Sequence, residues 1–177
     1  EVIHGDYGDI ARAGTLDSVT QYELWKGIWS SIQSRNFWEL AHALERHQEF
    51  STQVICNTFI GNHDVDRIAS LVGQDGEVLA LTALMTLPGM PSIYYGDEQG
   101  FTGTRGEGYW ADAPVRPPLP ATPAELAREG AWLQSLHQEL IGLRRRHPWL
   151  ARGHLTVASK TNETITFTIA PSEDAPE

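Results

Sequence analysis

The chain has 177 residues, of which 41% are hydrophobic and 20% charged, and it carries a formal net charge of −10. That balance suits a folded globular domain and excludes a disordered segment, while the excess of acid excludes a nucleic-acid backbone as partner, since such binding needs clustered Lys and Arg. No run of about 18 apolar residues reads as a membrane span, and the lone Cys56 excludes an internal disulfide and favours a reducing, cytoplasmic setting.

Residues 18–22 read as a short strand, after which Leu24, Trp25, Ile28, Trp29 and Ile32 recur at helical spacing. A second helix is expected to start at Asn36, with Glu39 three residues on as in a capping box and Phe37, Leu40, Ala41 and Leu44 on its apolar face. Residues 54–60 are apolar without period-2 alternation, which suits a strand covered on both faces in a parallel sheet. A buried helix follows over 77–87, stopped by Pro88-Gly89, and residues 92–95 make another short strand. From 101 to 120 Gly and Pro recur without periodicity, so a long loop of the functional kind is expected. Thr122-Pro123-Ala124-Glu125 carries the signals of a helix start, and Leu126, Leu133, Leu136, Leu140 and Leu143 carry its core face to about His147. Arg144 to Arg146 form its cationic last turn. Residues 155–159 and 164–169 read as two strands joined by a turn, the second alternating Thr with Ile and Phe, as in an antiparallel sheet with one wet face.

Strands alternating with helices in units of roughly 30 to 40 residues are the building pattern of a (β/α)8 barrel of about 250 residues. No Gly-rich phosphate turn follows any strand, which counts against a doubly wound nucleotide-binding sheet. The expected fold is therefore α/β: the C-terminal part of a (β/α)8 barrel over residues 1–152, then the first strands of an antiparallel β-sandwich domain over 153–177. The chain opens on Glu1 rather than Met, so its natural start is expected further upstream.

The chemistry concentrates where the apolar run 54–60 hands over to Gly61-Asn62-His63-Asp64, because ligands in such sheets bind beyond the carboxyl ends of the strands. From the residues alone Asp64 suits either a ligand contact or the N-cap of a helix starting near Ile68. The seven histidines are scattered and none shows the His-x-x-x-His spacing of two metal ligands on one helix face, so no metal site is expected. Tyr94, Tyr95, Phe101, Tyr109 and Trp110 are core or rim residues, one or two of which could form a platform for a sugar ring.

Three segments, residues 1–7 (Glu-Val-Ile-His-Gly-Asp-Tyr), 59–64 (Phe-Ile-Gly-Asn-His-Asp) and 89–98 (Gly-Met-Pro-Ser-Ile-Tyr-Tyr-Gly-Asp-Glu), in this order, resemble the later motifs of the α-amylase family, glycoside hydrolase family 13. The helix containing Leu140-Ile141-Gly142-Leu143-Arg144 resembles one near the end of that family's barrel, so the likeness covers roughly residues 1 to 150. The resemblance implies a retaining mechanism at α-1,4-glucosidic bonds of starch-like or maltooligosaccharide substrates. Glu1 matches the family's acid/base and Asp64 its second Asp, while the nucleophile motif is expected upstream of Glu1. His63 would hold the same sugar as Asp64, Arg67 would brace that sugar or an adjacent carboxylate, and Asn62 and His4 are further substrate contacts by adjacency. Calcium is common in the family, but its usual ligands lie largely upstream. A transglycosidase or isomerase would share every one of these residues; a non-catalytic carbohydrate-binding relative is the alternative from another class. Oligomeric state is left open.

Overall fold

The structure, a computed structural model, describes residues 5–126 and 130–172. Glu1 and His4, two of the six expected site residues, lie outside them.

The first helix, α1 (Tyr7–Gly14), was not expected from the sequence. Its local signals are nevertheless present: Asp6 accepts the Asp9 N–H at 2.9 Å as N-cap, and the helix ends on Thr15 in the left-handed region at φ 51°. Helices α2 (Tyr22–Ser34) and α3 (Trp38–Ser51) follow, joined by a short turn, and they bury Leu24 and Ile28 against Leu40 and Leu44. The expected capping box does not form. Asn36 takes the Trp38 N–H at 3.2 Å, but the Glu39 carboxylate reaches across to Lys26 and Ser30 of α2 instead of back to residue 36. Two cationic and hydroxyl donors on the neighbouring helix outcompete one backbone N–H.

The buried run 54–60 contributes only a three-residue strand, β1 (Asn57–Phe59), with Cys56 and Ile60 fully enclosed on either side. It pairs in parallel with β2 (Met90–Ser92), Asn57 opposite Met90 and Phe59 opposite Ser92, and its other edge takes Thr20 in a parallel bridge. The piece expected as a strand over 18–22 is reduced to that bridge, held by Asn57 N–H to Val19 O at 2.8 Å and Gln21 N–H to Asn57 O at 2.9 Å. The strand expected over 92–95 ends at Ser92, because Gly96 at φ 88° turns the chain into a 3₁₀ turn at Asp97–Gln99. Among the described residues these parallel segments stand side by side and close no barrel.

Between β1 and β2 runs α4 (Ile68–Thr86), longer than the expected 77–87 and broken at Gly73, whose φ of 70° and ψ of 176° are not helical. At 19 residues this helix is long and apolar enough to cross a membrane by length and composition alone, although Gln74, Asp75 and Glu77 interrupt its apolar run. Its Ile68, Ala80, Leu81, Leu84 and Met85 lie in the main core with α2, α3 and Ile60. The expected helix start at Thr122 is a 3₁₀ turn, Pro123–Glu125, after which Leu126 is extended, and α5 (Ala131–Arg146) begins only after Gly130. Arg144 in the last turn of α5 donates to Met85 O at 3.1 Å and Leu87 O at 2.8 Å and also bonds Gly89 O, so one guanidinium satisfies the carbonyls left over where α4 ends and β2 begins. A hairpin follows, β3 (His154–Lys160) and β4 (Ile165–Ala170), with a bulge between Val157 and Ser159; β4 alternates half-buried and exposed positions as expected. Leu155 joins the main core, and Gln48 of α3 accepts the Leu155 N–H at 2.6 Å, so the hairpin is seated on α3.

Candidate active site

The turn after β1 is built around a glycine that admits a carboxylate. A Cβ on Gly61 would lie 2.8 Å from Asp97 Oδ2, so only glycine lets the strand end pass this close to Asp97. Asn62 then fixes the turn from both ends of its amide: Nδ2 donates to the Tyr22 hydroxyl at 3.0 Å, and Oδ1 accepts the Asp64 N–H at 2.8 Å. This brings Asn62, His63 and Asp64 together at the carboxyl end of β1. Asp64 does not cap α4, whose N-cap residue is Arg67.

The Asp64 carboxylate is held on both oxygens and still open. Oδ1 accepts from Arg116 Nη2 at 2.9 Å, Oδ2 lies 3.3 Å from His63 Nε2, and the side chain keeps 37% of its surface exposed. A carboxylate offers about four acceptor positions, so two remain for outside donors such as hydroxyls.

Arg67 has a different place from that of a sugar ligand. Its side chain is 0% exposed, which leaves no donor at the surface. Nη1 donates to Asp97 Oδ1 at 2.9 Å and Tyr95 O at 2.6 Å, and Nε to Val115 O at 3.0 Å. The rings of Tyr94 and Tyr95 lie 4.1 and 4.9 Å from its guanidinium carbon, so two of the aromatics considered for sugar stacking line an internal cation site instead. Arg67 thus ties the turn after β1, the segment after β2 and the 101–120 loop into one body. Asp97 is pushed up to about 6 because burial outweighs the pairing with Arg67. Close to them Glu77, on α4 and fully buried, is raised to about 8 by burial and then by the charge of Asp97.

The 101–120 segment is a loop, as its composition implies, and it is stitched to the turn after β1 and to the first turn of α4. Arg67 N–H donates to Gly103 O at 3.0 Å, Gly103 N–H to Ser70 Oγ at 2.8 Å and Arg105 N–H to Asp66 Oδ1 at 2.7 Å. Tyr109 and Trp110 stand at its tip, 92% and 76% exposed, with ring centroids 5.1 Å apart and edge to face. Tyr22, Asp97, Asp112 and Arg116 are site residues that sequence reading missed. Asp97 stood inside the 89–98 motif, and Asp112 and Arg116 in the segment 111–117, whose likeness to an Asp-Pro-Arg-rich stretch of some family members is too loose to single them out. Among the described residues no group of three or more His, Cys, Asp or Glu stands where it could hold a metal ion.

A family model described as the α-amylase catalytic domain matches residues 15–154. The chain belongs to the α-amylase family. Among its relatives, the maltogenic α-amylase of Bacillus acidopullulyticus is 32% identical over 161 residues, covering 86% of this chain and 26% of that protein. The 4-α-glucanotransferase of Thermotoga neapolitana is 26% identical over 163 residues, covering 78% of this chain and 37% of the relative. The chain therefore spans between about a quarter and two fifths of the length of these two relatives. Among solved structures, that of AmyP in complex with maltose superposes with a TM-score of 0.74 at 20% identity, over 90% of this chain and 38% of that one. This likeness gives the fold: α-amylases are TIM barrels, and the chain carries a part of one.

Proposed function

We propose that the protein is a retaining glycosidase acting on α-1,4-glucosidic bonds of starch-like or maltooligosaccharide substrates, with Asp64 as the carboxylate that stabilises the transition state. The observation that carries this reading is the strand-end geometry of Asp64, an accessible carboxylate held by Arg116 and His63 with acceptor positions free. A retaining enzyme attacks the anomeric carbon with one carboxylate and protonates the leaving oxygen with a second acid about 5 to 5.5 Å away. Glu1 is the acid in this reading, and the attacking carboxylate belongs to residues upstream of it. Asp64 accepts hydrogen bonds from ring hydroxyls, which strengthen as the ring flattens toward the oxocarbenium-like state. Bonds that tighten only there raise turnover and leave affinity little changed. His63 and Asn62 contribute from the same turn, His63 by contact with the sugar and Asn62 by setting the turn. Arg67 acts from the interior by fixing Asp97. The Tyr109–Trp110 pair supplies an exposed aromatic surface on which a sugar ring can stack.

Transfer to a sugar acceptor instead of water is a second reading, favoured by the glucanotransferases among the relatives. Both share the glycosyl-enzyme stage. The experiment is steady-state kinetics of the full-length enzyme on maltooligosaccharides. Asp64→Asn is expected to lose on the order of 100-fold or more in kcat with a small change in KM, and product lengths separate hydrolysis from transfer. Near-normal turnover in Asp64→Asn would remove Asp64 from the mechanism.

A further inference from the structure

We propose that Glu77 is a proton switch for the strand-end turn: as a neutral acid it leaves the Arg67–Asp97 pair seated against the turn, and on losing its proton it unseats that pair and carries Asp64 out of place. The inference rests on the reading of Asp64 given above and goes beyond it by naming the group that sets when Asp64 is in position. Glu77 projects from α4 into the interior, fully buried, and neither of its carboxyl oxygens has a hydrogen-bond partner among the described residues. Its neighbours are Arg67 and Asp97, whose charges both act on it, and the atoms of that pair not used between them, Arg67 Nη2 and Asp97 Oδ2, are likewise unpartnered. A Cβ on Gly100, which ends the turn carrying Asp97, would stand 3.9 Å from Glu77 Oε2. With Glu77 neutral, this enclosed site holds one cation and one anion. An ionised Glu77 would add a second negative charge with no donor on it, and a buried carboxyl so placed keeps its proton.

Each element packed around Glu77 contributes in a defined way. Arg67 comes from the start of α4. The 3₁₀ turn brings Asp97 and Glu98, the latter accepting the Gly96 N–H at 2.9 Å. From α5 come Leu133 and His137, the imidazole bonded through Nδ1 to Leu133 O at 2.9 Å and held below its usual range by burial, so above about pH 6.5 it adds no charge. Helix α2 packs on α4 with apolar Leu24 and Ile28. The positive charge acting on Glu77 is therefore that of Arg67. The Arg67–Asp97 pair in turn brackets Asp64. On one side Gly61 leans on Asp97 Oδ2, where a Cβ would stand 2.8 Å away; on the other Arg67 is itself the cation, 2.9 Å from Asp97 Oδ1. A second buried negative charge repels Asp97 and draws Arg67, so both ends of the turn move. Displacing a reacting group by about 1 Å can cost on the order of 100-fold in rate.

The test is the pH dependence of kcat in the full-length enzyme between about pH 6.5 and 9, on an aryl α-glucoside with a good leaving group, which needs little protonation and so shows no alkaline loss from Glu1. Glu77 is raised to about 8, so the wild type is expected to lose about tenfold in kcat by pH 9, reversibly, with its circular dichroism unchanged. Glu77→Gln, neutral throughout, is expected to match the wild type at pH 6.5 within about twofold and to lose less than about twofold by pH 9. Glu77→Leu, neutral without the amide, is expected to share that level profile. A wild type whose kcat stays level to pH 9 overturns the inference, and so does an alkaline loss that persists in Glu77→Gln. Failure of both neutral variants to fold at pH 6.5 overturns it too, since the wild-type side chain would then not be neutral there. An enzyme inactive on aryl glucosides and maltooligosaccharides at every pH defeats the proposed function together with this inference, whereas the other outcomes defeat this inference alone.

Discussion

Replacing Arg67 by Met keeps the length of the side chain and removes its charge and three hydrogen bonds. Its guanidinium is fully buried, so no water waits to take over the bonds to Asp97, Tyr95 and Val115. Removing one partner of a buried ion pair costs about 3–5 kcal/mol, because the other charge is left uncompensated. Asp97 would be that charge. For a chain of this size about 2–4 °C of Tm accompanies each kcal/mol, which gives a fall of roughly 6 to 20 °C. The loss should also depend on pH. Asp97 already binds its proton more tightly in the folded state than in the unfolded one, and with its cation gone it does so more strongly still, so the variant loses more stability than the wild type as pH rises from about 4 and differs most from it at neutral and alkaline pH. Adding Asp97→Asn removes the orphan charge and should restore part of the loss, most visibly at high pH. Urea unfolding of the single and double variants at pH 5 and pH 8 measures all of this. A single variant within about 1 kcal/mol of wild type, or a double variant no better than the single at pH 8, would refute the argument that Arg67 is a buried electrostatic brace.

Glu77→Gln should stabilise the protein at alkaline pH. The folded-state pKa of Glu77 is raised to about 8, above the ordinary carboxylate value, so the wild type loses stability as pH rises toward 8; buried His47, lowered to about 4, acts oppositely and only below about pH 6.5. From pH 6.5 to 8 the wild type is thus expected to lose up to about 2 kcal/mol that Glu77→Gln retains, read from urea midpoints. Leu84→Ala, at a fully buried position of α4, should cost about 2–5 kcal/mol of unfolding free energy. Glu1→Gln in the full-length enzyme should damage turnover of maltooligosaccharides far more than of aryl glucosides with good leaving groups, since the latter need little protonation; equal losses would contradict the acid role.

What the sequence revealed of this molecule follows from which forces act locally. The spacing of Leu24, Ile28 and Ile32 in α2 and of Leu133, Leu136 and Leu140 in α5 is a direct imprint of a helix face on a core, and it was legible. The alternation in β4 was legible for the same reason. The extent of the short parallel strands was not, since β1 is as long as its neighbours allow and they are set by distant residues. The break at Gly73 left α4 looking like two separate pieces, a helix over 77–87 and a candidate helix start near Ile68, and nothing local joined them. At the site, Asn62, His63 and Asp64 are consecutive and announce themselves. Arg116 lies 52 positions from Asp64 in a loop without periodicity, and the loose family likeness of its segment, 111–117, does not say which residue it would meet. For Arg67 the residue was visible but its depth was not, because burial depends on Tyr94, Tyr95 and Val115 closing over it.

Arg144 makes the connection between α4 and β2 a measured length. Its guanidinium spans carbonyls of residues 85, 87 and 89, and Gly89, at φ 113°, lies so close to β1 that a Cβ would come within 2.8 Å of Cys56 O. One residue more or fewer between Leu87 and Gly89 would carry a carbonyl out of the reach of that side chain and slide β2 by one position against β1, turning every side chain of the strand to the opposite face. Insertions, which surface connections ordinarily absorb with little cost, are therefore barred at this short turn and free only at segments such as the tip around Tyr109, where no single group gauges the distance.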